Sequence, residues 1–218
     1  MTENLNEFWH KRLLDLKKTL ETNEFEAYIA NDRSHACRIV LEEILPKTGA
    51  KRITYGDSHT CESAGLFDAL KKNPEVDLID LFDGKSRTID EWLELARPAL
   101  LVDLFITGTN ALSETGALVN LDMVGNRVGG ITFGPKEVII LVGRNKIVED
   151  IPAAMHRVKH YAAPANAARL KKKTPCAKTS KCMDCKSPER ICRMWSIVER
   201  SFPKNRIKVV LINEDLGL

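Results

Sequence analysis

Between residues 25 and 107, short apolar runs alternate with stretches of helical periodicity, and this rhythm restricts the fold more than any other feature of the chain. Residues 26–30, 51–55, 76–81 and 104–107 read as strands, while 32–45, the segment after Ser58 to about 72, and 88–97 carry helix signals. Parallel neighbours in a sheet need a crossover, and a helix is the usual one, so the rhythm predicts an α/β fold with a mainly parallel sheet flanked by helices. Thr88 and Glu91 are spaced as a capping box. Ahead of this region Leu5, Phe8, Trp9, Leu13, Leu16 and Leu20 share one helical face, which predicts an amphipathic N-terminal helix within residues 1–24. After residue 107 the rhythm changes. Residues 115–122, 127–133 and 137–142 read as consecutive strands with tight turns, an antiparallel hairpin portion. A long helix is expected from Pro152 to about 170, then a cysteine-bearing loop, then a strand over 206–212. The expected organisation is a domain over 25–218, with a basic, cysteine-rich segment (171–205) inserted before its last strand.

Ligands in open α/β sheets sit beyond the carboxyl ends of the strands, and two such ends are rich in small polar residues. The first runs from Tyr55 to Thr60. Gly56 permits a sharp turn, and Ser58 or Thr60 can cap the next helix, whose free amides favour an anion. The same pattern also serves an ordinary capped connection. The second end holds Thr107, Gly108, Thr109, Asn110, Ser113, Glu114, Thr115 and Gly116. A carboxylate among amides and hydroxyls can act as a general base or as a nucleophile toward an acyl group, which singles out Glu114. Asn120, Asp122, Asn126 and Arg127 continue the polar run. Arg127 is suited to bidentate pairing with a substrate carboxylate, or is a surface arginine.

The net charge of +3 conceals an asymmetry: residues 171–208 hold 12 Lys and Arg against 3 Asp and Glu. Four of the six cysteines, Cys176, Cys182, Cys185 and Cys192, lie in that segment. Two cysteines separated by two residues can chelate one metal, and sulfur-only ligation suits zinc or an iron–sulfur cluster; the spacing does not choose between them. The surrounding lysines and arginines favour thiolates. A disulfide is disfavoured in a reducing compartment, and Cys37 and Cys61 read as core fillers. No apolar run approaches the roughly 20 residues of a membrane span, and the N-terminal residues lack an apolar signal core, so a cytoplasmic protein is expected. The absence of a P-loop and of a Gly-x-Gly-x-x-Gly run disfavours ATP or NAD use through those motifs, and nothing in the basic strands favours RNA.

The stretch LFITGTNALSETGALVNLDMVGNRVGGITFGPKEVIILVGRNKIVEDI resembles the LUD (lactate utilisation) domain family, and TPCAKTSKCMDCKSPERIC followed by RIKVVLINEDLGL resembles its small single-domain members. The resemblance runs from about Phe25 to Leu218. It implies a fold of the NagB/RpiA/CoA-transferase-like class and a link to bacterial oxidation of lactate, in which iron–sulfur oxidoreductase subunits are the expected partners. It also implies a small carboxylate or acyl-type ligand. Within that fold class Ser113-Glu114-Thr115-Gly116 is similar to the Ser-Glu-Asn-Gly motif of CoA-transferases, whose glutamate forms a covalent acyl intermediate, and Glu114 would take that role. Thr115 departs from the asparagine of the motif. CoA-transferases also pair two such domains, which here would require a homodimer or leave a binding pocket without transfer chemistry.

Overall fold

A computed structural model describes residues 2–218 of the chain. Helix α1 (Thr2–Thr22) leads into strand β1 (Glu26–Ala30), with Leu13, Leu16 and Leu20 buried against Phe25, as the apolar face predicts. A continuous helical segment follows as α2 (Arg33–Arg38), a π-helical stretch (Ile39–Ile44) and α3 (Leu45–Thr48). Asp32 caps its start by accepting from the backbone N–H of His35. Strand β2 (Arg52–Tyr55), helices α4 (His59–Ser63) and α5 (Leu66–Lys72), strand β3 (Asp77–Ile79) and helix α6 (Ile89–Ala96) come next. The Thr88–Glu91 capping box at the start of α6 is reciprocal, as expected from the spacing.

From β4 (Leu104–Gly108) the chain leaves the main sheet for a hairpin, β5 (Ala111–Ser113) and β6 (Leu118–Asp122). It then forms α7 (Asn126–Thr132) and returns as β7 (Glu137–Gly143). A short β8 (Ile147–Val148) precedes α8 (Ile151–Arg157), a π-helical stretch (Val158–Ala162) and α9 (Ala163–Arg169). Helix α10 (Pro175–Thr179), a loop, β9 (Met194–Val198) and β10 (Ile207–Ile212) complete the order.

The expected parallel α/β sheet is present. Six strands, all paired in parallel, lie in the order β1–β10–β7–β4–β2–β3. Two cores cover its faces: one built around Ile39, Ile44, Ile53 and Leu66, the other around α1 with Phe105, Ile131 and Val209. A second sheet, β8–β5–β6–β9, carries the antiparallel pairs β5–β6 and β6–β9. From β2 the chain steps outward to β3 and then back to β4 on the other side of β2. This reversal opens a crevice between the carboxyl ends of β2 and β4, the usual ligand position in such sheets.

Two expected strands differ. Residues 127–133 form most of helix α7 and its C-terminal turn rather than a strand. Gly125 turns the chain at φ 90°, the Asp122 carboxylate accepts from the Val128 N–H at 2.9 Å, and Arg206, just before β10, donates to the carbonyls of Gly130, Ile131 and Pro135 at the other end. These tertiary hydrogen bonds outweigh the strand propensity of Val128, Ile131 and Thr132. Residues 137–142, expected in the antiparallel part, instead form β7 between β4 and β10 of the parallel sheet.

Gly143 ends β7 where the backbone of Leu216 crosses it. A Cβ there would stand 2.7 Å from the Leu216 nitrogen and 2.8 Å from its oxygen, neither of which can swing aside. Gly143→Ala is therefore expected to cost about 1–3 kcal/mol in urea denaturation and to raise hydrogen exchange across residues 213–217. A variant within about 0.5 kcal/mol of the parent would show that this crossing tolerates a methyl group.

Candidate functional site

The crevice holds a cavity of about 420 Å³. Its rim and walls come from Asp57, Ser58 and His59 after β2, from Gly108, Thr109 and Asn110 after β4, and from Asn126, Arg127 and Lys146. Phe82, Ile89 and Trp92 form an apolar side, and Asn166, Arg169 and Lys172 close the opposite edge.

Local chemistry places each group. Gly56 and Thr107 stand behind the cavity, not on its lining. A Cβ on Gly56 would come within 2.8 Å of the Thr107 Oγ1, so the two strand ends meet closely only because residue 56 lacks a side chain. Ser58 Oγ accepts from the Cys61 N–H at 3.3 Å and caps α4. That helix has five residues, so it offers little dipole.

Lys146 follows β7, the strand between β4 and β10. It is 5% exposed, and its Nζ donates to Thr60 Oγ1 at 2.8 Å and to the Thr109 carbonyl at 3.2 Å. No carboxylate pairs with it among the described residues. Burial pushes the ammonium down to about 7, with Arg157 and Arg127 lowering it further and Cys61 opposing them. The Cys61 thiol itself is pushed up to about 12 by burial. His59 also lines the cavity, and its Nε2 is buried without a protein partner.

Arg127 corrects an expectation. Its Nε and Nη2 both donate to Asp122 Oδ1, Nη1 donates to Asn120 Oδ1 at 2.9 Å, and Nη2 also donates to Asn110 Oδ1 at 2.6 Å. Weaker contacts reach the carbonyls of Gly108 and Leu121. With its donors engaged inside the protein, Arg127 is unavailable for a bidentate grip on a ligand. It ties the end of β4 and the short connection after it to β6 at the cavity wall. Asn120 is fully buried in this network, while Asn110 and Asn126 remain on the lining.

Glu114 corrects a second. The hairpin carries Glu114, Thr115 and Gly116 to α1, and none of the three lines the cavity. Arg12 Nε donates to Glu114 Oε1 at 2.9 Å, Asn23 Nδ2 donates to the Thr115 carbonyl at 2.9 Å, and Gly116, at φ 86°, lies against Asn23. Ser113 Oγ turns inward to meet Thr115 Oγ1 and the Ala117 N–H. The motif builds the tip of a docked hairpin, so its acid does not face the crevice.

The cysteine segment also differs from expectation. Cys176 lies in α10 and the other three in the following loop, all four free and partly exposed. Arg190 organises that loop, donating to the carbonyls of Cys185 and Cys192, each at 2.7 Å, and to Asp184 at 2.9 Å. Among the described residues no three His, Cys, Asp or Glu side chains come together to hold a metal ion. The described helices include none long and apolar enough to cross a membrane.

Sequence reasoning missed Lys146, His59, Lys172 and the aromatic side. A lone lysine among polar neighbours has no periodic signal. Recognising 137–142 as a parallel strand would have exposed it, since Lys146 lies just past that strand's carboxyl end.

No curated protein matches the chain. A DUF162 family protein from Deinococcus radiodurans has a similar fold, with a TM-score of 0.52 and 13% identity over 93% of this chain and 97% of that one. Ribose 5-phosphate isomerase from Plasmodium falciparum also matches, with a TM-score of 0.32 and 15% identity over 52% of this chain and 53% of that one. A family model for the LUD domain matches residues 13–212, most of the chain from the middle of α1 to the end of β10, and the chain belongs to the LUD domain family.

Proposed function

We propose that this lactate-utilisation-associated protein binds a small carboxylate or acyl-type ligand in the crevice between β2 and β4. The observation that carries the reading is a buried lysine, Lys146, with no carboxylate partner on the lining of a cavity whose other side is apolar. Burying a cationic group without a counter-ion is unfavourable, and an anionic ligand relieves that cost. Lys172 adds a second cation at the rim, and among the described residues it makes no ion pair. Phe82, Ile89 and Trp92 suit a short apolar chain. Acyl transfer through Glu114 is not part of the reading, because that carboxylate is paired with Arg12 on α1.

Calorimetric titration with acetate, propionate and butyrate tests it. Micromolar to low-millimolar binding is expected, weakened about ten-fold by Lys172→Ala, one cation contact being worth about 1.4 kcal/mol. No binding of any of the three would overturn the reading. Glu114→Gln should leave these affinities unchanged and cost less than about 1 kcal/mol in thermal unfolding, because its ion pair is well exposed to water. Loss of binding in that variant would return Glu114 to the site.

A further inference from the structure

The geometry that lets Lys146 anchor an anion also suits a reacting amine. Two protein acceptors, Thr60 Oγ1 and the Thr109 carbonyl, take two of its N–H bonds, and among the described residues Nζ has no further hydrogen-bond acceptor, with Gly217 packed beside it. As a cation Nζ keeps a third N–H; as a neutral amine it keeps its lone pair. The residue lies on the cavity lining and is almost fully buried, so a reaction at this nitrogen is shielded from bulk water. Thr60 is itself held by the Leu216 carbonyl at 3.4 Å, which fixes the direction of the amine.

Resting on the crevice as a ligand site, we propose that Lys146 adds through Nζ to the carbonyl carbon of a small 2-oxo acid, giving a carbinolamine and then an imine. The Nζ lone pair forms the C–N bond as the carbonyl π pair moves to oxygen. The C–O bond then breaks, and the oxygen leaves as water with both Nζ protons, so no oxidant or further reactant is needed. His59 also lies on this lining, and its Nε2 has no protein partner. The oxo acid, rather than a simple aldehyde, follows from the second cation. Once its nitrogen is part of the neutral imine, Lys146 no longer balances a carboxylate, and Lys172 can.

Trapping on the intact chain tests this. The protein is incubated at neutral pH with pyruvate or glyoxylate and sodium cyanoborohydride, which reduces an imine to a stable secondary amine, and the product is mapped by peptide mass spectrometry. One adduct per chain on Lys146 is expected, formed at least about 100-fold faster than on surface lysines, whose amines are almost wholly protonated at that pH. Lys146→Met should abolish it, and excess propionate should block it in the parent protein, a control that does not depend on how the variant folds. Acetaldehyde should label Lys146 at least about ten-fold more slowly than glyoxylate. Adducts scattered over surface lysines, or unaffected by propionate, would overturn the proposal. Calorimetric binding of propionate without any Lys146 adduct would sink the imine chemistry and leave the crevice as a carboxylate site. Absence of both binding and adduct would remove both.

Discussion

Arg127→Ala is expected to destabilise the chain by about 3–5 kcal/mol, the range for breaking a buried ion pair from one side. The Asp122–Arg127 side chains are only 7% and 14% exposed, and the guanidinium is the common donor for Asp122, Asn120 and Asn110. Its removal leaves the buried Asp122 carboxylate without its counter-ion, with only the Val128 N–H donating to it, while Asn120 and Asn110 each lose one donor and keep others. Arg127→Lys should recover little, since one ammonium cannot reproduce the fork that reaches Asp122, Asn120 and Asn110 together. Urea denaturation with tryptophan fluorescence measures the effect. A loss below about 1 kcal/mol would mean that water replaces the guanidinium and that the network is a surface feature. Because the same arginine holds the strand ends that form the cavity, ligand affinity should fall with stability, not independently of it.

The second large effect concerns pH. The Lys146 ammonium is lowered to about 7 in the folded chain, chiefly by burial and then by Arg157, while an unfolded lysine titrates near 10.4. Between these limits the unfolded chain binds the extra proton and the folded chain does not, so stability rises with pH across that window, by up to about 1.4 kcal/mol per unit. Below about pH 6.5 both states are protonated and the contribution is flat. Lys146→Met should remove the rise, so the parent gains on the variant from pH 7 to about 9. The comparison stops there because burial raises Cys61 and Tyr55, each to about 12, and groups raised on folding make stability fall at higher pH. Parallel pH profiles for parent and variant would show that Lys146 titrates as an exposed amine, and would also remove the basis for its reactivity.

Much of the sheet was legible because its strands are short, apolar and bounded by turn residues. Residues 26–30 coincide with β1, and 206–212 differs from β10 by one residue. The capping box was legible because Thr88 and Glu91 are a purely local signal. What failed was governed by tertiary contacts. Val128, Ile131 and Thr132 favour a strand, yet Asp122 from before the segment and Arg206 from far along the chain hold the two ends of a helix. Ser58, Gly108, Thr109 and Asn110 lie on the lining of the crevice, and glycine and small polar residues after a strand mark such ends wherever they occur. Its chemistry was misassigned for a geometric reason. Glu114 sits only a few residues past β4, but the hairpin carries it away to α1, whereas Lys146, far along the chain, is brought in by the neighbouring strand. Proximity along the chain was mistaken for proximity in space.

The insertion of β10 between β1 and β7 has a consequence for synthesis on the ribosome. Until residues 207–212 have left the exit tunnel, β1 and β7 face one another with a gap a whole strand wide and their hydrogen-bonding edges bare. A nascent chain of this design stays open, exposed to chaperones and to pairing with neighbours, until those residues emerge, and its central ladder closes only then.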